Sequence, residues 1–199
     1  MIHYKKGNLF DDLHPDDYLI HVVNDLGCMG AGFAGELRYR FPNAGEIYED
    51  WFKATPTGKW NYKITGYPDR DSNRLGMTQF ANLGLNVVSH DENGEPVWEC
   101  FRLAQMIAQH GVISKNNPHP LDYDALTTCL KHVKADLHFE CLAHQRPFRL
   151  ISPLLGAGLA GGDWCVIQQL INEVFDDRDI TVYVLNEEDL PEQFRHLLT

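Results

Sequence analysis

The sequence predicts an α/β fold: a largely parallel or mixed sheet with helices on both faces. Three observations carry that expectation. Short apolar runs suited to buried strands alternate along the chain with segments of helical periodicity. Two of the strand-to-helix junctions, "NDLGCMGAGFAGEL" (Asn24 to Leu37) and "SPLLGAGLAGGDW" (Ser152 to Trp164), repeat one device: an apolar run, a glycine-rich loop, a helix start. Finally, 199 residues with 44% hydrophobic content suffice for one domain with a proper core and exclude a disordered chain.

The elements follow in order. "IHYKKGNLF" reads as a first strand closing in a turn at Gly7-Asn8, and "DDLHPDD" as a solvated acidic loop. Tyr18 to Val23 suits a buried strand. After the first glycine loop, Phe33, Leu37 and Phe41 recur at helical spacing, and Pro42 ends that stripe. Ile47, Tyr48 and Trp51 share one face of a second short helix. From Gly58 to Gly94 the chain is turn-rich and polar, with β-prone pieces at Tyr62–Thr65, Met77–Phe80 and Leu85–Val88. "CFRLAQMIAQHGV" (Cys100 to Val112) predicts a central strand, and Leu126, Leu130, Val133 and Leu137 mark the longest helix. The strand "FRLISPLL", the second glycine loop, the helix "DWCVIQQLINEVF" and the strand "ITVYVL" complete the series. With no internal repeat and no linker, residues 1–199 read as a single domain carrying a turn-rich β insertion around 58–94.

Charge narrows the partners. Lys and Arg total 17 against 28 Asp and Glu, a net charge of −11 that repels bare phosphate backbones, so non-specific nucleic-acid binding is not expected. No apolar stretch reaches membrane-spanning length, and "MIHYKKGNLFDD" lacks a signal-peptide core, so a cytoplasmic protein away from membranes is expected. The five cysteines form no CxxC pair and leave one over, which fits reduced thiols. Oligomeric state is left open.

The glycine loops are the candidate site. In open α/β sheets ligands sit where strand ends lead into helices. A helix N-terminus offers unpaired N–H groups and partial positive charge, and glycines let a phosphate approach the backbone. Two such loops on one crevice would suit a diphosphate; each could equally be a tight connection needing positive φ. GxxxxGK[ST] is absent, which excludes a P-loop. Gly30-Ala31-Gly32-Phe33-Ala34-Gly35 matches GxGxxG, but it follows the second strand and lacks the acidic strand end of a dinucleotide site.

Together "KKGNLF", "LIHVVNDLGCMGAGFAGELRYRFPNAGEIYEDW", "SPLLGAGLAGGDWCVI" and "ITVYVL" resemble a macrodomain, the three-layer α/β/α module with a central mixed sheet that binds ADP-ribose. The branch most resembled holds the yeast-type ADP-ribose-1″-phosphate phosphatases and the terminal ADP-ribose protein glycohydrolases. The resemblance implies that Gly7, Asn8 and Leu9 meet adenine, with Asn8 standing where an Asp is usual. It implies that Asn24 lies near the distal ribose and that Leu185 and Asn186 flank adenine. Gly30, Ala31, Gly32 and Phe33 would form the first pyrophosphate loop, and Gly156, Ala157, Gly158, Leu159 and Ala160 the second. The ligand is then ADP-ribose or an ADP-ribosylated substrate, with no cofactor and no metal.

Hydrolysis at the distal ribose C1″ needs an activated water and a way to carry leaving-group charge. His21, on the strand feeding the first loop, is one catalytic candidate as a base; the plainer reading is a strand histidine satisfied by backbone. Asp163 at the mouth of the second loop is the other, and it also suits a helix N-cap. Ala160 stands where the resembling glycohydrolases carry an Asp, and no equivalent of their lysine is apparent, which counts against a lysine-adduct route. Cys28 and Cys165 border the loops as nucleophiles or as packing residues. His138, Cys141 and His144 recur on one helix without a fourth ligand, and Asp11, Asp12, Asp16 and Asp17 lack a calcium-loop spacing, so both groups read as solvated surface. The expected function is ADP-ribose binding with hydrolysis of the 1″-phosphate or of an ADP-ribosyl ester on protein. The alternatives are a non-catalytic reader of ADP-ribose or a related nucleotide, or a structural protein without a nucleotide.

Overall fold

The computed structural model describes residues 1–54 and 74–199. Its centre is a six-stranded sheet built from β1 (Ile2–Lys6), β2 (Asp17–Asn24), β3 (Thr78–His90), β4 (Pro96–Gln109), β5 (Arg149–Pro153) and β6 (Ile180–Val184), in the order β1-β6-β5-β2-β4-β3. The first five of these positions are parallel and β3 lies antiparallel at the edge, which makes the sheet mixed as expected. Among the described residues the α-helices are α1 (Gly32–Arg40), α2 (Pro42–Ala54), α3 (Tyr123–His144), α4 (Trp164–Val174) and α5 (Glu192–Arg195).

Strand periodicity explains why both sheet faces are covered. Tyr18 and His21, three residues apart on β2, point to opposite faces. On one face Tyr18 hydrogen-bonds Asp136 of α3 at 2.6 Å. On the other, Gln105, directly paired with His21, donates to the Ala44 carbonyl of α2. Pro42 both stops α1 and opens α2 as its first residue, where its missing N–H costs nothing. Leu126, Leu130, Val133 and Leu137 are fully buried, as the helical stripe of α3 requires.

Two expectations need correction. The β-prone pieces at Met77–Phe80 and Leu85–Val88 fall largely within one continuous strand, β3, and β4 begins at Pro96 rather than Cys100. Their outer halves form an exposed ribbon, turned at Gly94 with φ +83°, on which apolar Val87, Val88, Val97 and Trp98 and the polar residues alike stand in solvent, so no buried face sets an alternation. The Tyr62–Thr65 piece lies outside the described residues.

The acidic stretch is also not simply a solvated loop. Asp17 is fully buried and chelates Arg149, with Nε to Oδ1 at 2.6 Å and an η nitrogen to Oδ2 at 3.0 Å, while accepting the His14 N–H. Asp12 binds Lys5 and Tyr183, and these hydrogen bonds hold its carboxyl down at about 2. Distant cations decide this burial, and spacing along the chain does not report them. Arg149→Leu strands the Asp17 carboxylate, so a loss of about 3 kcal/mol is expected, at the low end for a broken buried pair because the guanidinium is 38% exposed. A denaturant midpoint equal to that of the wild type would contradict this account.

Candidate functional site

The two glycine loops leave β2 and β5, and these strands are neighbours in the sheet. Their carboxyl ends therefore bring both loops to one crevice. Two adjoining cavities occupy it, of about 520 Å³ and about 630 Å³, within the range of small-molecule sites. Gly32, Phe33, Pro153, Leu154 and Gly158 line both, so the boundary between the cavities is formed by the two loops themselves.

The first cavity lies over the ends of β2 and β4. His21, Asn24, Cys28, Gly30, Ala31, Gly156, Leu159 and Ala160 line it, with Gln109, Val112 and Ile113 opposite. Gly32 takes φ +57° and Gly156 φ +65°, conformations that favour glycine. A Cβ on Gly30 or Gly158 would meet nothing within 4 Å, so these two glycines leave open space rather than relieve a clash. Ala160 is buried and its carbonyl accepts the Leu121 N–H at 2.9 Å.

The second cavity lies over β1 and β6. Gly7, Asn8, Leu9, Phe10, Ala157, Tyr183 and Leu185 line it, with Glu36 and Asp189 supplying carboxylates. Asn8 caps the short turn that follows β1, its Oδ1 accepting the Phe10 N–H at 3.1 Å. Its Nδ2 makes no hydrogen bond among the described residues. Phe33 stacks on Phe10 at 5.0 Å between ring centroids and stands between the two cavities.

His21 is 1% exposed, beneath Phe33 at 5.5 Å between ring centroids. Neither ring nitrogen has a hydrogen-bond partner among the described residues, nor has Oε1 of the adjacent Gln105. Burial pushes the imidazole down to about 4, against an opposite pull from the Gln105 side chain. It is neutral at physiological pH and a weak base, offering one donor and one acceptor at the cavity floor.

Three of the remaining residues depart from expectation. Asp163 is the N-cap of α4, its Oδ1 accepting the Cys165 N–H at 2.8 Å, and it lines neither cavity. Asn186 also lines neither; its Nδ2 is spent on Asp189 at 3.0 Å. Asn24 reaches the first cavity, but its amide folds its own loop, accepting from Leu26 N and Cys28 N and donating to the Cys28 carbonyl. In each case a group nearby in the chain, backbone for Asp163 and Asn24 and the Asp189 carboxylate for Asn186, takes the side chain first. Sequence reasoning missed Gln109, Val112, Ile113 and Tyr183. The apolar pair Val112-Ile113 in an otherwise polar loop was the available signal, since both remain about half exposed.

No protein-family model matches the chain, and no curated protein matches it in sequence. Solved structures do. A Bacteroides thetaiotaomicron protein of unknown function superposes with TM-score 0.63 at 28% identity, over 92% of this chain and 97% of that one. A macrodomain protein from Streptomyces coelicolor superposes with TM-score 0.59 at 26% identity, over 94% of this chain and all of that one, 100%. The chain has the macrodomain fold. A third neighbour, Thermosipho africanus DarTG in complex with ADP-ribose, superposes with TM-score 0.63 at 15% identity, over 97% of this chain and 44% of that one. Among the described residues no helix is long and apolar enough to cross a membrane.

Proposed function

We propose that this macrodomain binds ADP-ribose and hydrolyses a linkage at the distal ribose C1″, either the 1″-phosphate or an ADP-ribosyl ester on protein. The observation that carries the reading is the joint lining of one cleft by both glycine loops. Their N–H groups would meet the diphosphate. Adenine would occupy the second cavity, where Asn8 Nδ2 has no partner among the described residues, and the distal ribose the first. The ADP-ribose held by the DarTG neighbour supports the ligand class. The resemblance of the loop motifs to those of ADP-ribose-1″-phosphate phosphatases and terminal glycohydrolases is what suggests the reaction class.

A second reading, a reader without turnover, has an observation in its favour. Asp163 is committed to its helix cap and His21 is a weak, buried base, so neither is poised to carry a proton.

Calorimetry and turnover separate the readings. ADP-ribose is expected to bind without added metal, roughly tenfold or more tighter than AMP, because AMP lacks the second phosphate and the distal ribose. Equal affinity for both would remove the diphosphate argument. ADP-ribose-1″-phosphate and a glutamate-ADP-ribosylated protein are the substrates to assay. Binding with turnover of neither establishes the reader.

A further inference from the structure

The loop that follows β4 brings two aliphatic side chains to the wall of the first cavity, Val112 and Ile113. They are 51% and 47% exposed, and Leu159 of the second glycine loop, 47% exposed, lines the same cavity. Half-exposed apolar side chains clustered beside a cavity mark a contact surface. The loop is held open by its own hydrogen bonds. Gln109 Nε2 donates to the Gly111 carbonyl at 2.9 Å, and Asp25 Oδ1 accepts the Gly111 N–H at 2.7 Å. Asn117 Nδ2 donates to the carbonyls of His110 and Val112 at 2.8 and 3.2 Å, and Ser114 and Asn117 exchange backbone hydrogen bonds at 3.1 Å. Val112 and Ile113 are branched at Cβ, which leaves each few rotamers. The apolar wall is therefore pre-set.

We propose that Val112 and Ile113 determine which group the cleft accepts on the distal ribose: an uncharged ester leading into the side chain of a carrier protein, in preference to a phosphate. The inference rests on the ADP-ribose reading above and chooses between the two linkages named there. Among the described residues no Lys, Arg, Asp or Glu lines the first cavity. Its amide side chains, Asn24 and Gln109, each direct an N–H into their own loops, and His21 is neutral beneath Phe33.

A phosphate monoester carries a charge of about −1.5 to −2 near neutral pH and needs cations or converging donors in place of its water. The N–H groups of the glycine loops are assigned to the diphosphate already. An acyl ester has no charge at the linkage, and the methylenes of the residue that bears it would lie against Val112, Ile113 and Leu159. The net charge of −11 acts in the same direction, against a third phosphate.

The test compares ADP-ribose-1″-phosphate with a glutamate-ADP-ribosylated peptide, by kcat/KM where they are turned over and by Kd where they are only bound. Free ADP-ribose is the common reference. The wild type is expected to favour the peptide roughly tenfold or more. Ile113→Lys places a cation at the wall and should move that preference roughly tenfold toward the phosphate, the effect of one close, partly exposed charge pair. Ile113→Asn removes the aliphatic contact without adding charge. It should lower the peptide's advantage about three- to tenfold, with ADP-ribose affinity within about twofold of the wild type. Should Ile113→Lys not fold, Val112→Lys takes its place. A wild type that favours the phosphate overturns the proposal, as does an unchanged preference in the folded variants. A wild type that does not bind ADP-ribose also ends it, and that outcome is distinct because the ADP-ribose reading fails before any derivative is compared.

Discussion

Gly158→Glu is expected to abolish ADP-ribose binding, by roughly 100-fold or more, while leaving the melting temperature within a few degrees of the wild type. Gly158 lines both cavities, so a side chain there enters the cleft where the two meet. A Cβ at this position meets nothing within 4 Å and the backbone φ is not in the left-handed region, so the change is not resisted by packing or strain. The carboxylate then occupies the space assigned to the diphosphate and repels it. Gly32→Glu is the less informative variant: Gly32 has φ +57° and its Cβ would lie 3.1 Å from Leu159 Cδ1, so lost binding there would mix strain with repulsion. Calorimetry with ADP-ribose reads the outcome, and normal binding by folded Gly158→Glu would remove the cleft as the ligand site.

The second large effect is acid lability seated at His21. In the folded protein burial holds its imidazole at about 4, below the ordinary value of 6.5 that the unfolded chain recovers. Above the ordinary value both states are neutral there and the stability is fully present. As the pH falls from there to the folded value, the unfolded chain takes up a proton that the folded protein refuses, so stability is lost. The full drop is about 3 kcal/mol, from a shift of that size at about 1.4 kcal/mol per unit. Asp12 acts in a lower window, its folded value of about 2 lying below the ordinary 3.8, so its contribution is lost only on further acidification. His132 is also pushed down by burial and adds in the same direction as His21. The decisive measurement is therefore the difference between wild type and His21→Gln, in denaturant midpoints at about pH 7.5 and about pH 4.5. A wild type as acid-resistant as the variant would show that the ring is not held neutral by burial.

What the sequence by itself determined is what local pattern carries. Leu126, Leu130, Val133 and Leu137 define a helix face, Tyr18 to Val23 a buried strand, and the glycine clusters the two junctions where, at Gly30 and Gly158, backbone stands open. These features are set by side chains a few residues apart, so periodicity reports them directly. The β3–β4 ribbon was read only in fragments because its outer half is exposed, Val87, Val88, Val97 and Trp98 included, and a strand without a buried face leaves no alternation to detect.

The tertiary structure decided everything that depends on which strands lie side by side. Placing β5 beside β2 turned two separate glycine loops into one cleft. Bringing β4 to the other side of β2 set His110 on Asp25, and the docking of β5 gave Asp17 the guanidinium that lets it be buried. The same packing took Asp163 and Asn186 out of the cleft, since nearby backbone and side-chain partners satisfied them first. It also sealed His21 beneath Phe33, which changed a base of ordinary strength into one that resists protonation. Charge and proton affinity depend on solvent and on distant partners, and only the assembled sheet supplies both.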